Sequence, residues 1–178
     1  SQAGENTDVI LGLGYDATLG DQIGITLIAT GFEQKNPFDK KPAVVEEVTA
    51  DYAKYGAAAI SVLTDDHFFG GSSEDLMAAR DTVNIPILRK DFIIDEYQIL
   101  EAKAIGADII LLIAACLTPP EVKMLSASAK SLGLEVLLEL HDEDELEHIC
   151  DDTELIGINN RSLKTFEVDL DRSLQMAA

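Results

Sequence analysis

An α/β fold built from parallel βαβ units is what this sequence predicts, and three observations carry it. From residue 43 onward, short apolar runs alternate with helical patterns at regular intervals. The apolar runs are continuous and do not alternate with polar residues, so both faces of the sheet are covered, as in parallel sheets. Polar groups recur at the ends of these runs, at Lys90, Glu139 and Asn159 to Arg161. In a parallel sheet all C-terminal strand ends share one edge, where α/β enzymes place their chemistry. A doubly wound sheet and a (β/α) barrel with right-handed crossovers both fit this rhythm.

The first forty residues have a different character. Residues 8–15 and 24–32 read as two strands, and residues 16–21, with Gly20 as a turn residue, join them. That is a β-hairpin with a longish loop and not a βαβ unit. Residues 34–42 are a polar, Pro-bearing linker. The chain thus divides into a hairpin segment (1–33), a linker (34–42) and a βα segment (43–178), the last packed as one domain.

Within the βα segment, Val44, Val45, Val48 and Tyr52 share one helical face over residues 44–55, and Gly56 stops that helix. Residues 57–63 are an apolar strand. Ser72-Ser73-Glu74-Asp75 starts a helix that runs to about Val83. Residues 85–88 are the next strand, and 95–105 a helix closed by Gly106. Residues 108–115 are a strand. Thr118-Pro119-Pro120-Glu121 caps a helix that Gly133 ends. A strand over 134–140, an acid-led helix over 142–150, a strand over 155–158 and a helix over 169–177 complete the pattern. Five strands after residue 56 fall short of the eight of a closed barrel.

Composition excludes several functions. Of 178 residues, 33 are acidic and 13 are Lys or Arg, for a formal net charge of −20. Nucleic-acid binding needs clustered cations, and an anionic membrane surface would repel this chain. No apolar run is long enough to span a bilayer and no leader-like segment opens the sequence. Cys116 and Cys150 are too scattered for a disulfide framework and read as buried or idle reduced thiols. These features point to a cytoplasmic α/β protein. A small anionic ligand such as phosphate stays open if the few cations converge.

Lys90, Glu139, Asn159 and Arg161 are the candidate site. Lys suits a general acid and Glu a base, while Asn and Arg orient and neutralise an anion. The alternative is that these strand ends simply carry solvated charge. Gly12-Leu13-Gly14-Tyr15-Asp16-Ala17 matches a dinucleotide fingerprint in letter only. A second strand follows it, so there is no helix N-terminus to cradle phosphate. His141-Asp142-Glu143-Asp144-Glu145 is explained by acids favouring the first turn of a helix. His67 and His148 lack partners at ligand spacing, so no metal site is expected. Phe68-Phe69-Gly70-Gly71 is a loop lid or a packing anchor.

Five runs in this segment, GAAAISVLTDDHFFGGS, PILRKDFIIDEYQI, GADIILLIAA, LEVLLELHDEDEL and LIGINNRSLKTFEVDL, resemble indole-3-glycerol-phosphate synthase in order and spacing. The resemblance covers about residues 42–176. It implies a (β/α)8-barrel family, here as an incomplete barrel fragment with an N-terminal hairpin. It implies an enzyme that closes and decarboxylates a carboxyphenylamino-deoxyribulose phosphate without a cofactor. It makes Lys90 the general acid, Glu139 the general base, and Asn159 and Arg161 substrate holders. The family's first strand ends in an I-A-E-x-K-like motif, whereas this chain reads Ile28-Ala29-Thr30-Gly31-Phe32. Its last two strands, which bind the substrate phosphate, have no counterpart here.

The front run NTDVILGLGYDATLGDQIGITLIATGF is similar to the C-terminal domain of the bacterial cell-division GTPase FtsZ. That family's nucleotide-binding glycine loop is absent. Together these features predict an engineered or recombined chimera without catalytic activity. The alternatives are a lyase made active by assembly and a small-anion binding module. The hairpin strand 24–32 is expected to replace the missing first barrel strand beside 57–63. Several inward side chains left uncovered would each forfeit roughly 1.5–3 kcal/mol, against a domain stability of about 5–15 kcal/mol. A homo-oligomer, most simply a dimer, is therefore expected.

Overall fold

A computed structural model of the chain describes residues 8–13, 25–30, 42–161, 168 and 176. Two sheets form. Strands β1 (Asp8–Leu13) and β2 (Ile25–Thr30) make the antiparallel hairpin, with Asp8 opposite Thr30 and Leu13 opposite Ile25. The second sheet is parallel and holds β3 (Ile60–Leu63), β4 (Ile87–Lys90), β5 (Ile109–Ile113), β6 (Glu135–Leu140) and β7 (Leu155–Ile158). Its order is strictly sequential, β3-β4-β5-β6-β7. A doubly wound sheet reverses direction at a switch point. This one does not, and it is the arrangement of a partial (β/α) barrel.

Four α-helices alternate with the strands: α1 (Pro42–Lys54), α2 (Ser73–Thr82), α3 (Glu96–Ala104) and α4 (Pro119–Ser131). Their starts follow from local chemistry. Ser72 Oγ accepts from Asp75 N at 3.2 Å, and Asp95 Oδ1 accepts from Tyr97 N at 2.7 Å. Gln98 reaches back to accept from Asp95 N at 3.1 Å, and Glu121 from Thr118 N at 2.7 Å. Gly106 ends α3 at φ +94°, where a Cβ would also sit 2.7 Å from Arg80 Cγ.

Alternate strand residues face two different cores. Ile87, Ile110, Leu112, Val136 and Leu138 pack under the helices with Leu76, Ile99, Val122 and Leu125. Leu88, Ile109, Leu111 and Ile113 form a second cluster on the other face with Phe92, Leu137 and Leu155. The second cluster draws on no helix residue, so the helices lie on one side and a barrel-type interior on the other.

Several boundaries differ from the sequence reading. Pro86 holds the fourth strand back to Ile87, and pairing with β3 then carries it on through Arg89 and Lys90. Lys90 is thus the last residue of the strand and not a residue beyond it. β3 starts at Ile60, and β5 gives way at Ala114–Cys116 to a short 3-10 turn. The helix expected over 142–150 is a 3-10 helix over Glu143–His148. The joining loop at 16–21, the linker up to residue 41 and nearly all of the 169–177 helix lie outside the described residues, and Pro42 opens α1.

Hairpin and sheet approach each other. Cα atoms of β2 and β3, and of β1 and β7, come within 8 Å, yet no ladder joins them. The expected replacement of the first barrel strand by the second hairpin strand is therefore not met: among the described residues β2 pairs with β1 alone, because the antiparallel hairpin closes its own ladder. Among the described residues no helix is long and apolar enough to cross a membrane.

Candidate active site

β4 carries charge on both faces. Arg89 points to the helix side, where its Nη2 lies 2.9 Å from Asp91 Oδ2 and 2.7 Å from Glu101 Oε2. Thr64 Oγ1 also donates to Asp91 Oδ2 at 2.6 Å. Arg89 and Asp91 are both buried, so this network pins the strand end from behind. Lys90 has the parity of Leu88 and faces the barrel-type interior, 8% exposed. Burial pulls its ammonium pKa below the ordinary value of 10.5, and the nearby Glu139 carboxylate opposes that shift without cancelling it.

An aromatic loop covers Lys90. Asp65 Oδ1 accepts from Phe68 N at 2.6 Å and Phe69 N at 3.3 Å, and Gly71 N donates to Asp65 O at 2.8 Å. Phe69 lies flat against Phe92, with centroids 5.1 Å apart and planes 5° apart. Phe68 meets Phe92 edge-on at 5.3 Å. Lys90 Nζ is 3.7 Å from the Phe69 ring centroid, a cation–π contact. Within Phe68-Phe69-Gly70-Gly71, Phe69 is therefore the packing anchor at the site, while Phe68 is largely exposed. The sequence flagged the loop but held no signal for which ring would meet the lysine.

Glu139 lies on β6, opposite Ile113 of β5 and Gly157 of β7. It shares the interior face with Leu137. Asn159 leaves β7 with its N donating to Leu140 O at 2.8 Å. Its side chain is oriented from both ends. Oδ1 accepts from Arg161 N at 3.0 Å, and Nδ2 donates to Glu139 Oε1 at 3.1 Å. Arg161 also bridges to Val168 in antiparallel sense. Lys90, Glu139 and Asn159 thus meet on one edge and one face, and Arg161 joins them through its backbone.

His141 was read from sequence only as part of an acidic helix start. It is 3% exposed, with Nε2 3.4 Å from Glu139 Oε1 and Nδ1 3.8 Å from Glu145 Oε2. Glu145 Oε2 accepts from His141 N at 2.6 Å. Cys116 is exposed and Cys150 half-buried, and both are free thiols. Local burial, then Glu139 and Glu145, push the Cys116 thiol above its ordinary pKa. Among the described residues, no group of three His, Cys, Asp or Glu could hold a metal.

An acid at the end of β4 and a base on β6, two strands along the same sheet edge, with an amide fixing the base, can move protons at a bound molecule. The aromatic pair offers a flat apolar face beside the cation. The family model for indole-3-glycerol phosphate synthase matches residues 35–178. A relative described as that synthase in Bacteroides thetaiotaomicron is 48% identical, covering 84% of this chain and 59% of its own length. Another in Chromobacterium violaceum is 44% identical, over 97% of this chain and 65% of its own. The chain thus spans less than two thirds of either relative. A solved structure, the carboxyl transferase domain of Rhizobium etli pyruvate carboxylase, overlays with a TM-score of 0.48 at 16% identity. It covers 66% of this chain and 24% of that one.

Proposed function

This chain belongs to the indole-3-glycerol phosphate synthase family, and we propose that its strand-end cluster is the acid–base half of that family's lyase site. One observation carries the reading: Lys90 and Glu139 come from different strands yet share the interior face of Leu88 and Leu137, with the Glu139 carboxylate acting on the Lys90 ammonium. Closing the indole ring forms a C–C bond at the substrate's carbonyl carbon and releases CO2 and water. Lys90, with its pKa lowered toward working pH, is suited to protonate the carbonyl oxygen as that bond forms. Glu139, held at Oε1 by Asn159, accepts the proton that leaves. The Phe69–Phe92 face supports the substrate's aromatic ring, and Arg161 its anionic end. No cofactor is required.

The proposal has a narrower part. The chain is a recombined one whose front segment does not supply the first-strand carboxylate and lysine, and its turnover is negligible. The support is Ile28-Ala29-Thr30 where the family pattern has the I-A-E-x-K-like motif, together with a family match that begins only at residue 35. The alignment with the Chromobacterium relative extends over 97% of the chain, so this part rests on residues 28–30 and not on alignment length. Positioning supplies much of an enzyme's rate, and a site with fewer anchors keeps binding longer than turnover. A dimer of this chain is also part of the proposal.

Calorimetry with indole-3-glycerol phosphate, and a turnover assay with the carboxyphenylamino-deoxyribulose phosphate, test both parts. Binding that weakens at least tenfold in Lys90→Ala, about 1.4 kcal/mol, is expected. Turnover no higher than that of Lys90→Ala is expected with it. Absence of binding would overturn the acid–base reading. Turnover that depends on Lys90 would overturn only the claim of silence.

A further inference from the structure

We propose that His141 is a positioning residue for Glu139. The inference rests on the reading of Glu139 as the site's base, and it concerns how that carboxylate is held. Glu139 Oε1 is approached from two sides, by Asn159 Nδ2 at 3.1 Å and His141 Nε2 at 3.4 Å. The two nitrogens come from different elements. Asn159 follows β7, and His141 directly follows β6. The imidazole is buried, and its other nitrogen faces Glu145 Oε2 at 3.8 Å.

Glu145 is itself fixed by the chain. Its Oε2 accepts from His141 N at 2.6 Å and Asp142 N at 3.4 Å, closing the start of the 3-10 helix. The ring is thus wedged between a carboxylate in the site and one belonging to the following turn. Side-chain rotation of Glu139 away from Asn159 would also part Oε1 from the polar edge of the His141 ring. His141 therefore confines Oε1 to one position and leaves Oε2 for a bound molecule. Sequence order hides this, because a His two residues after the base looks like the first residue of an acidic turn.

The Asn159 side-chain amide reports on Glu139 without any turnover, since its Nδ2 donates to Oε1. Its two amide proton resonances in the full chain are identified by their loss in Asn159→Leu. Glu139→Gln then defines where they move when the carboxylate contact changes. In His141→Leu the pair is expected to shift toward the Glu139→Gln position and to lose protection from solvent exchange. His141→Gln, which puts a polar amide edge at that place, is expected to bring it back. Glu145→Gln touches neither Glu139 nor Asn159, yet is expected to move the same pair by loosening the ring. Asn159 resonances that stay at their original position in both His141→Leu and Glu145→Gln would overturn the proposal. So would a shift in His141→Leu that His141→Gln fails to reverse, because that is the mark of a space-filling role. Should His141→Leu not fold, Glu145→Gln and His141→Gln still decide it. A chain that binds no indole-3-glycerol phosphate would overturn the acid–base reading while leaving these signals to be read.

Discussion

Lys90 is a buried cation, and the competition around it sets its behaviour. Desolvation lowers its pKa and Glu139 raises it, with desolvation the larger. Its folded pKa therefore lies below its unfolded value. Between the two values the unfolded chain binds more protons, so stability rises with pH across that window. Below the folded pKa the ammonium is charged in both states, and the native state carries the whole cost of burying it. Above 10.5 the amine is neutral in both, and the cost is gone. Urea titrations at increasing pH should show this rise, and Lys90→Met should flatten it. Competitive acylation should give Lys90 a midpoint below the ordinary lysine value of 10.5. An ordinary midpoint for Lys90 would contradict the burial argument. Reading Lys90 as functional from sequence worked because a strand end is a local pattern: an apolar run, then a cation. His141 and Phe69 were missed as site residues because what they touch lies on other elements, and no spacing rule encodes that.

Elements were legible where their causes are local. Ser72, Asp95 and Thr118 with Pro119 fix helix starts through bonds within one turn, and sequence order shows them. The acidic stretch after β6 misled because its shape is set from outside. His148 Nε2 lies 2.9 Å from the Leu117 carbonyl and Nδ1 3.0 Å from that of Glu145. The His148 ring thereby ties the turn to the segment after β5, and the tighter 3-10 form results. The aromatic loop after β3 depends on a single close approach. A Cβ on Gly71 would sit 2.0 Å from the Leu63 carbonyl oxygen, and backbone cannot yield as a flexible side chain would. Gly71→Ala must therefore push the loop off the end of β3, at a cost of about 1–3 kcal/mol. Phe69 would leave Lys90 with it. The expected readouts are a lower denaturation midpoint, a weaker near-ultraviolet aromatic signal and faster acylation of Lys90. A variant with unchanged Lys90 reactivity would mean that Phe69 does not depend on this approach.

At the scale of the molecule, the question is what covers the edges of the parallel sheet. Strict sequential order leaves β3 and β7 as its two edge strands. On β3, Ile60 N donates to Pro86 O at 3.0 Å and Thr64 N to Lys90 O at 3.1 Å. The alternate amides of Ser61 and Leu63 therefore point away from β4. The hairpin comes close on that side, but no ladder joins it to β3 or to β7. Edge amides without a ladder invite pairing with another chain. Those outward amides support the proposed dimer. Light scattering at concentrations of tens of micromolar should give twice the chain mass. Ser61→Pro removes one outward N–H while leaving the Ile60 and Thr64 bonds to β4 intact. The extended backbone of Ile60 is already compatible with a following proline. This variant should sediment as a monomer with its helical circular dichroism retained. A native chain that is monomeric throughout that range would mean that the hairpin alone shields the edges. A dimer that survives Ser61→Pro would place the contact away from β3.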